Sequence, residues 1–298
     1  MVYASKRSLI IAGLEVNIYA PKHSGTAADP IPPEEQSPAG SGREVVVFFL
    51  LHGRHGSAAQ IDPIAQALVE RASAAGVGKG KRGRELLVVT FDHRNHGARL
   101  VDPLANEGWS KEEEKHNERH AVDMYAIQTG TSRDVSFLID LLPSYLHTDD
   151  KPHPIVEWGV AGISLGGHAT WLALTNDTRV KTGIPIIGCP DYLRLMESRA
   201  GKLELGGPPF FPASFTTLVR KLDPPYRTGL NPYLGKRLLV LSGKEDKLVP
   251  WDASQEFVEG VDVGEDGVKK VSLYEGVGHE CTPEMVNEMA DFIADYCL

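Results

Sequence analysis

Cysteine is scarce. Cys189, Cys281 and Cys297 are the only three in 298 residues. Odd in number and scattered, they offer neither a pairwise metal spacing nor a disulfide framework, which suits a reducing compartment. Long apolar runs are missing too. The longest, VVVFFLL at 45–51, falls far short of the roughly 18–20 residues that span a bilayer. Near the N-terminus the apolar stretch LIIAGL is too short for a secretory signal, and no clear small-residue cleavage site follows it. The expectation is a cytoplasmic chain with no membrane partner. Positive charge is in deficit, with 31 Lys and Arg against 40 Asp and Glu and a net charge of -9, which disfavours a nucleic-acid footprint. The hydrolytic metal patterns His-Glu-x-x-His and His-x-His-x-Asp-His are also absent, so Asp92, His93, His96 and the pair His52/His55 read as loop-shaping residues rather than metal ligands.

What remains is ordinary globular material, 42% hydrophobic and 24% charged, enough for one large α/β domain over 1–298. Residues 9–20 alternate apolar and polar around Gly13 and predict a hairpin. Residues 23–42, HSGTAADPIPPEEQSPAGSG, are rich in Pro, Gly, Ser and Ala and read as a surface loop. Beyond Glu44 the pattern changes to strand-length apolar runs at 45–51, 86–91, 155–163, 180–188, 237–243 and 268–276. Candidate amphipathic helices at 58–75, 131–146, 167–176, 252–260 and 283–297 lie between them. Several runs lack polar alternation, as strands buried on both faces do. Strand and helix in alternation imply a mostly parallel, doubly wound sheet of about eight strands with helices on both faces. Two segments interrupt it. Residues 100–130 carry the charge run SKEEEKHNER, read as a solvated face. Residues 190–235 are far longer than a loop and predict a small lid with a helix near 191–200. Ligands in such sheets bind beyond the carboxyl ends of the strands, where both insertions would sit.

The chemistry-bearing stretch is GVAGISLGGHATWLAL, 159–174. A serine between two glycines, after an apolar run and before a helix, fits an abrupt strand-to-helix turn. The apex residue is forced toward sparsely allowed backbone angles there, and its neighbours must lack bulk. A helix-capping serine is the plainer alternative. As a nucleophile Ser164 would require a base and an acid at other strand ends. Asp246 follows the strand at 237–243, with Glu245 and Asp252 as rivals, and His279 precedes a helix opening at Thr282-Pro283. The developing oxyanion would need backbone donors. The amide of Leu165 is one, and the amide of Arg54 or of its neighbour His55 in HGRHG is the other.

The segments HGRHG (52–56), FDHRNHGAR (91–99), GISLGG (162–167), SGKEDKLVP (242–250) and GVGHECTPE (276–284), in that order, resemble the α/β-hydrolase superfamily. More narrowly they resemble its dienelactone-hydrolase and prolyl-oligopeptidase-like single-domain esterases, the short-chain carboxylesterases among them. The resemblance runs from about Val45 to the C-terminus. It implies hydrolysis of small-molecule carboxylic esters through an acyl-enzyme on Ser164, with thioesters, lactones and small peptides as alternatives and ligand binding without turnover as a further one. It also implies no metal and no organic cofactor. The chain departs from the large oligopeptidases in carrying no N-terminal propeller, and from true dienelactone hydrolases in using Ser where they use Cys.

Further candidates surround the site. His120, Met124 and Tyr125 in the first insertion, and Phe210, Phe211, Phe215 and Tyr226 in the second, are candidates for substrate contact or for packing. Trp158 is expected in the core and His168 in a surface or packing role.

Overall fold

The computed structural model describes residues 2–23, 44–76, 83–146 and 154–298. Strands β1 (Val2–Ile11) and β2 (Leu14–His23) form an antiparallel hairpin. It turns at Ala12-Gly13, where both residues take positive φ, 49° and 81°, the geometry that matches strand twist in a two-residue hairpin. The hairpin is thus longer than the predicted 9–20. Apart from His23, which ends β2, the surface loop read over 23–42 lies outside the described residues.

Then follow β3 (Val45–Leu51), α1 (Asp62–Gly76), β4 (Glu85–Phe91), α2 (His120–Leu146), β5 (Ile155–Ile163), α3 (Leu165–Asn176) and β6 (Val180–Ile186). After them come α4 (Tyr192–Gly201), α5 (Ala213–Leu222), β7 (Arg237–Gly243), α6 (Gln255–Gly260), β8 (Val268–Tyr274) and α7 (Pro283–Tyr296). The eight strands lie in the order β1-β2-β4-β3-β5-β6-β7-β8. The sheet is parallel except where β2 runs antiparallel to β1 and to β4. This is the mostly parallel, eight-stranded sheet that the sequence predicts.

Two-residue periodicity splits each central strand between two cores. Val45, Val47, Phe49 and Leu51 of β3 face the side covered by α2, α3 and α6, where Leu138, Leu142, Trp171 and Val258 pack. Val46, Phe48 and Leu50 face the side covered by α1 and α7, with Leu68, Met289 and Ile293. Because both faces are covered, β3 and β4 are buried at every residue, which is why neither alternates in sequence. Trp158 is only partly buried; it stacks on Phe49 at 5.9 Å from the core's rim.

Two boundaries differ from expectation for physical reasons. Helix α2 begins at His120, eleven residues before the predicted 131, and so absorbs the end of the first insertion. Gly130 lies inside it, where Arg94 crosses the helix. A β-carbon on Gly130 would meet the Arg94 Cδ at 2.5 Å. The guanidinium continues past it to Asp134, at 2.8 and 3.2 Å. The long segment between β6 and β7 holds two helices, α4 and α5, rather than one. These pack against the first half of α2 in a third cluster built on Met124, Tyr125, Tyr192, Met196 and Phe215.

Strand β3 connects to β4 on one side, and β5 lies on its other side. The connection reverses between β3 and β5, and in open α/β sheets the crevice forms at such a reversal, beyond the carboxyl ends of the strands.

Candidate active site

Ser164 stands at that crevice. It follows β5 directly with φ 54° and ψ -108°, a combination costly to any residue with a side chain. Three backbone bonds hold the turn. Ser164 N donates to Ile186 O of β6 at 2.9 Å, Gly166 N to His52 O beyond β3 at 3.1 Å, and His168 N to Ser164 O at 2.9 Å. Close approach explains the flanking glycines. A β-carbon on Gly162 would lie 2.2 Å from Gly166 O, and one on Gly166 would lie 2.4 Å from Leu51 O and 2.8 Å from His52 O. These neighbours are backbone and cannot step aside. A Gly166→Ala variant is therefore expected to lose about 3 kcal/mol of stability through overpacking, read from urea midpoints. An unchanged midpoint would refute the steric account.

The hydroxyl of Ser164 makes no cap bond to α3. It donates instead to His279 Nε2 at 2.8 Å, so the capping alternative is not what the geometry shows. His279 Nδ1 donates to Asp246 Oδ2 at 2.7 Å. An ionised carboxylate can only accept, so this bond places the imidazole proton on Nδ1 and leaves Nε2 free to take the serine proton.

Each of these residues is held by local chemistry. Asp246 Oδ1 accepts the amides of Leu248 and Val249 at 2.8 and 2.9 Å. Burial alone would raise its pKa, but the imidazole bond and the two amides outweigh that and lower it. The rivals Glu245 and Asp252 are solvent-exposed. The loops carrying Asp246 and His279 are latched together by Lys244 N to Tyr274 O and Glu245 N to Val277 O, both 3.0 Å. Beyond His279, Thr282 caps α7 by accepting from Met285 N at 3.3 Å, with Pro283 in the first turn.

Around Ser164 runs a narrow cleft of about 30 Å³, lined by Arg54, His120, Met124, Gln128, Leu165, His168, Tyr192, Arg199, Leu248 and Val249. Leu165 is the first residue of α3, where an amide has no acceptor within the helix. Arg54 follows Gly53, whose added β-carbon would sit 3.8 Å from the Ser164 Cβ. His55 is not part of the lining.

His52, His93 and His96 brace this loop from beneath. His52 Nδ1 donates to Gly53 O at 2.8 Å, and its Nε2 accepts His93 N at 3.0 Å. The His93 ring stacks on His52 at 3.9 Å. Asp92 accepts from Ala58 N at 2.8 Å and Ala98 N at 2.7 Å, which shapes the turn after β4. Among the described residues, no three or more His, Cys, Asp or Glu side chains are grouped to hold a metal ion.

Of the candidate contacts, His120 and Met124 line the cleft. Tyr125, one residue round the helix, packs in the third cluster with its ring tilted against Tyr192 at 5.0 Å. Phe210 and Phe211 pack on Trp109 at 6.1 and 5.8 Å and do not line it. Phe215 is buried in the third cluster, and Tyr226 packs against it. His168 is buried, its Nδ1 paired with the Cys189 backbone at 2.9 Å, so it packs and is not on the surface. Gln128, Tyr192, Arg199, Leu248 and Val249 were not singled out from sequence. The signal for Gln128 was available: His120, Met124 and Gln128 recur every four residues on one helical face.

No family model matches the chain, and no curated protein matches it. Solved structures do. The TT1662 protein from Thermus thermophilus is 20% identical, with 98% of this chain and 97% of that one covered and a TM-score of 0.60. Acetyl xylan esterase 1 from Thermoanaerobacterium is 15% identical, covering 99% and 84%, with a TM-score of 0.57. The acylaminoacyl peptidase of Pyrococcus horikoshii is 17% identical with a TM-score of 0.53, and this chain, 99% covered, spans 41% of its length. Together with the sheet order, these likenesses show the α/β-hydrolase fold.

Proposed function

We propose, from an α/β-hydrolase fold whose crevice holds a bonded serine, histidine and aspartate, that this protein is a serine hydrolase cleaving carboxylic esters of small molecules. The observation that carries the reading is the continuous relay from Ser164 Oγ through the His279 ring to Asp246, 2.8 and 2.7 Å, at an apex whose backbone is strained to present it. In this reading Ser164 Oγ attacks the ester carbonyl carbon while its proton passes to His279 Nε2, and Asp246 stabilises the imidazolium. The carbonyl oxygen, now negative, is met by the amides of Arg54 and Leu165. Collapse of the intermediate breaks the carbon–oxygen bond to the alcohol, which takes the proton from His279 and leaves an acyl-serine. Water then repeats the sequence, giving its proton to His279 and releasing the acid. The segment between β6 and β7 serves as the lid of this site.

Two tests separate the activity from its substrate. A fluorophosphonate should label Ser164, and p-nitrophenyl esters from acetate to decanoate should be turned over. Because the cleft is narrow, the decanoate is expected to fall at least about tenfold below the optimum in kcat/KM. Labelling without turnover of any member would move the substrate to thioesters, lactones or peptides. No labelling at all would sink the hydrolase reading and leave ligand binding.

A further inference from the structure

Other arginines are matched by carboxylates: half-buried Arg84, Arg99 and Arg237 pair with Glu44, Asp134 and Glu157 at 2.8, 2.8 and 2.5 Å, and exposed Arg94 and Arg179 pair with Asp134 and Asp177 at 2.8 Å. Arg54 and Arg199 are exceptions. Both line the cleft beside Ser164, and among the described residues neither forms an ion pair. Arg199 Nη2 donates to Leu248 O at 2.5 Å, Nη1 faces the Met196 sulfur at 3.6 Å, and Nε is buried with no partner. The cleft's lining contains no carboxylate. Glu107 acts electrostatically on Arg54 from outside it, and its backbone carbonyl accepts from His120 Nδ1 at 2.8 Å. Asp246 acts on Arg199 in the same way, but neither carboxylate bonds to a guanidinium, so both charges lack a direct partner.

We propose that the substrate carries an ionised carboxylate besides its scissile acyl group, and that Arg54 and Arg199 bind it. The inference rests on the reading of Ser164 as an acyl-transfer nucleophile. An arginine cannot escape an unpaired site by losing its proton, so it answers burial by finding an anion, and its planar fork suits a carboxylate. The charges also bear on each other: burial first, and then Arg54, disfavour the charged form of Arg199, and an anion between them would relieve both. The two side chains come from different elements. Arg54 belongs to the loop after β3 and Arg199 to α4 of the segment between β6 and β7. A carboxylate bridging them would draw that segment against the loop beside Ser164 and fix the substrate's position for attack.

The test is a ratio of kcat/KM for mono-4-nitrophenyl adipate to that for 4-nitrophenyl hexanoate, which share leaving group and acyl length. The wild type should favour the anionic ester at least about tenfold. In Arg199→Gln the preference should collapse by about that factor, and Arg199→Lys should restore part of it. Taking the ratio within one preparation cancels any loss of folded protein. A wild type that prefers the hexanoate, or a ratio unmoved in Arg199→Gln, overturns the carboxylate site while hydrolysis of the hexanoate leaves the hydrolase reading intact. Should neither ester be cleaved, adipate is compared with adipamide as a protectant against fluorophosphonate labelling of Ser164. Protection at concentrations about tenfold lower for adipate, lost in Arg199→Gln, supports the site. Equal protection overturns it, and failure of labelling overturns both readings.

Discussion

Ser164→Ala is expected to retain no more than about one part in 10⁴ of the wild-type kcat on any ester the protein cleaves, with KM little changed and fluorophosphonate labelling abolished. The size of the loss follows from the proposed mechanism: His279 and Asp246 would act only through the serine proton, so without Oγ the relay would have nothing to activate. What survives would come from the amides of Arg54 and Leu165 acting on water attack. A variant that keeps a tenth of wild-type activity would exclude Ser164 as the nucleophile. The same position makes a second, opposite demand. A residue with a side chain at φ 54° stores about 1–3 kcal/mol, and glycine adopts that region freely. Ser164→Gly should therefore be as inactive as the alanine variant yet melt about 2–4 °C higher than it, a combination expected only if the strain is spent on presenting the hydroxyl.

How much of this was legible depends on whether the signal was local. The glycines around Ser164 announce a collision with backbone, and the collision partners, Gly166 O and Leu51 O, are within reach of a pattern argument because an abrupt turn always brings such atoms close. Asp246 and His279 could be found because each follows an apolar strand, and the sheet gathers strand ends on one edge. Asp246 was favoured over Glu245 on its place after the strand, but what fixes it, the amides of Leu248 and Val249, lies in the folded loop. Helix α2 starts before the predicted 131 because its first turns pack on α4 and α5, distant in sequence, and Gly130 within it is a seat for Arg94. Phe210 and Phe211 look like pocket walls for their composition, whereas Trp109, distant in sequence, draws them away. Arg199 was invisible for the complementary reason: a basic residue near the end of a short amphipathic helix reads as solvated, and only the fold turns it toward Ser164.

Acid should unfold this protein early, and the buried histidines set the range. Burial first lowers His52 and His168 to about 4 and His120 to about 3, and drives fully buried His93 well below its ordinary value of 6.5. For His93, the neighbouring His52, His96 and Arg99 add to the effect, and neither ring nitrogen has a partner. The sign is fixed by linkage. Below pH 6.5 the unfolded chain binds protons at these rings that the folded chain refuses, so stability falls with pH from about 6.5 and levels off only near the folded values, about 4 for His52 and His168. Each ring costs about 2 kcal/mol by pH 5, so four of them remove a large share of the roughly 5–15 kcal/mol that holds a typical domain folded. Urea midpoints followed by circular dichroism should drop steeply between pH 7 and pH 5. His93→Phe, which keeps an aromatic ring against His52 and Phe91 but cannot be protonated, should flatten that slope by about one histidine's share. Midpoints that stay level from pH 7 to pH 5 would mean that the rings are protonated inside the fold, and the neutral brace beneath the Arg54 loop would have to be abandoned.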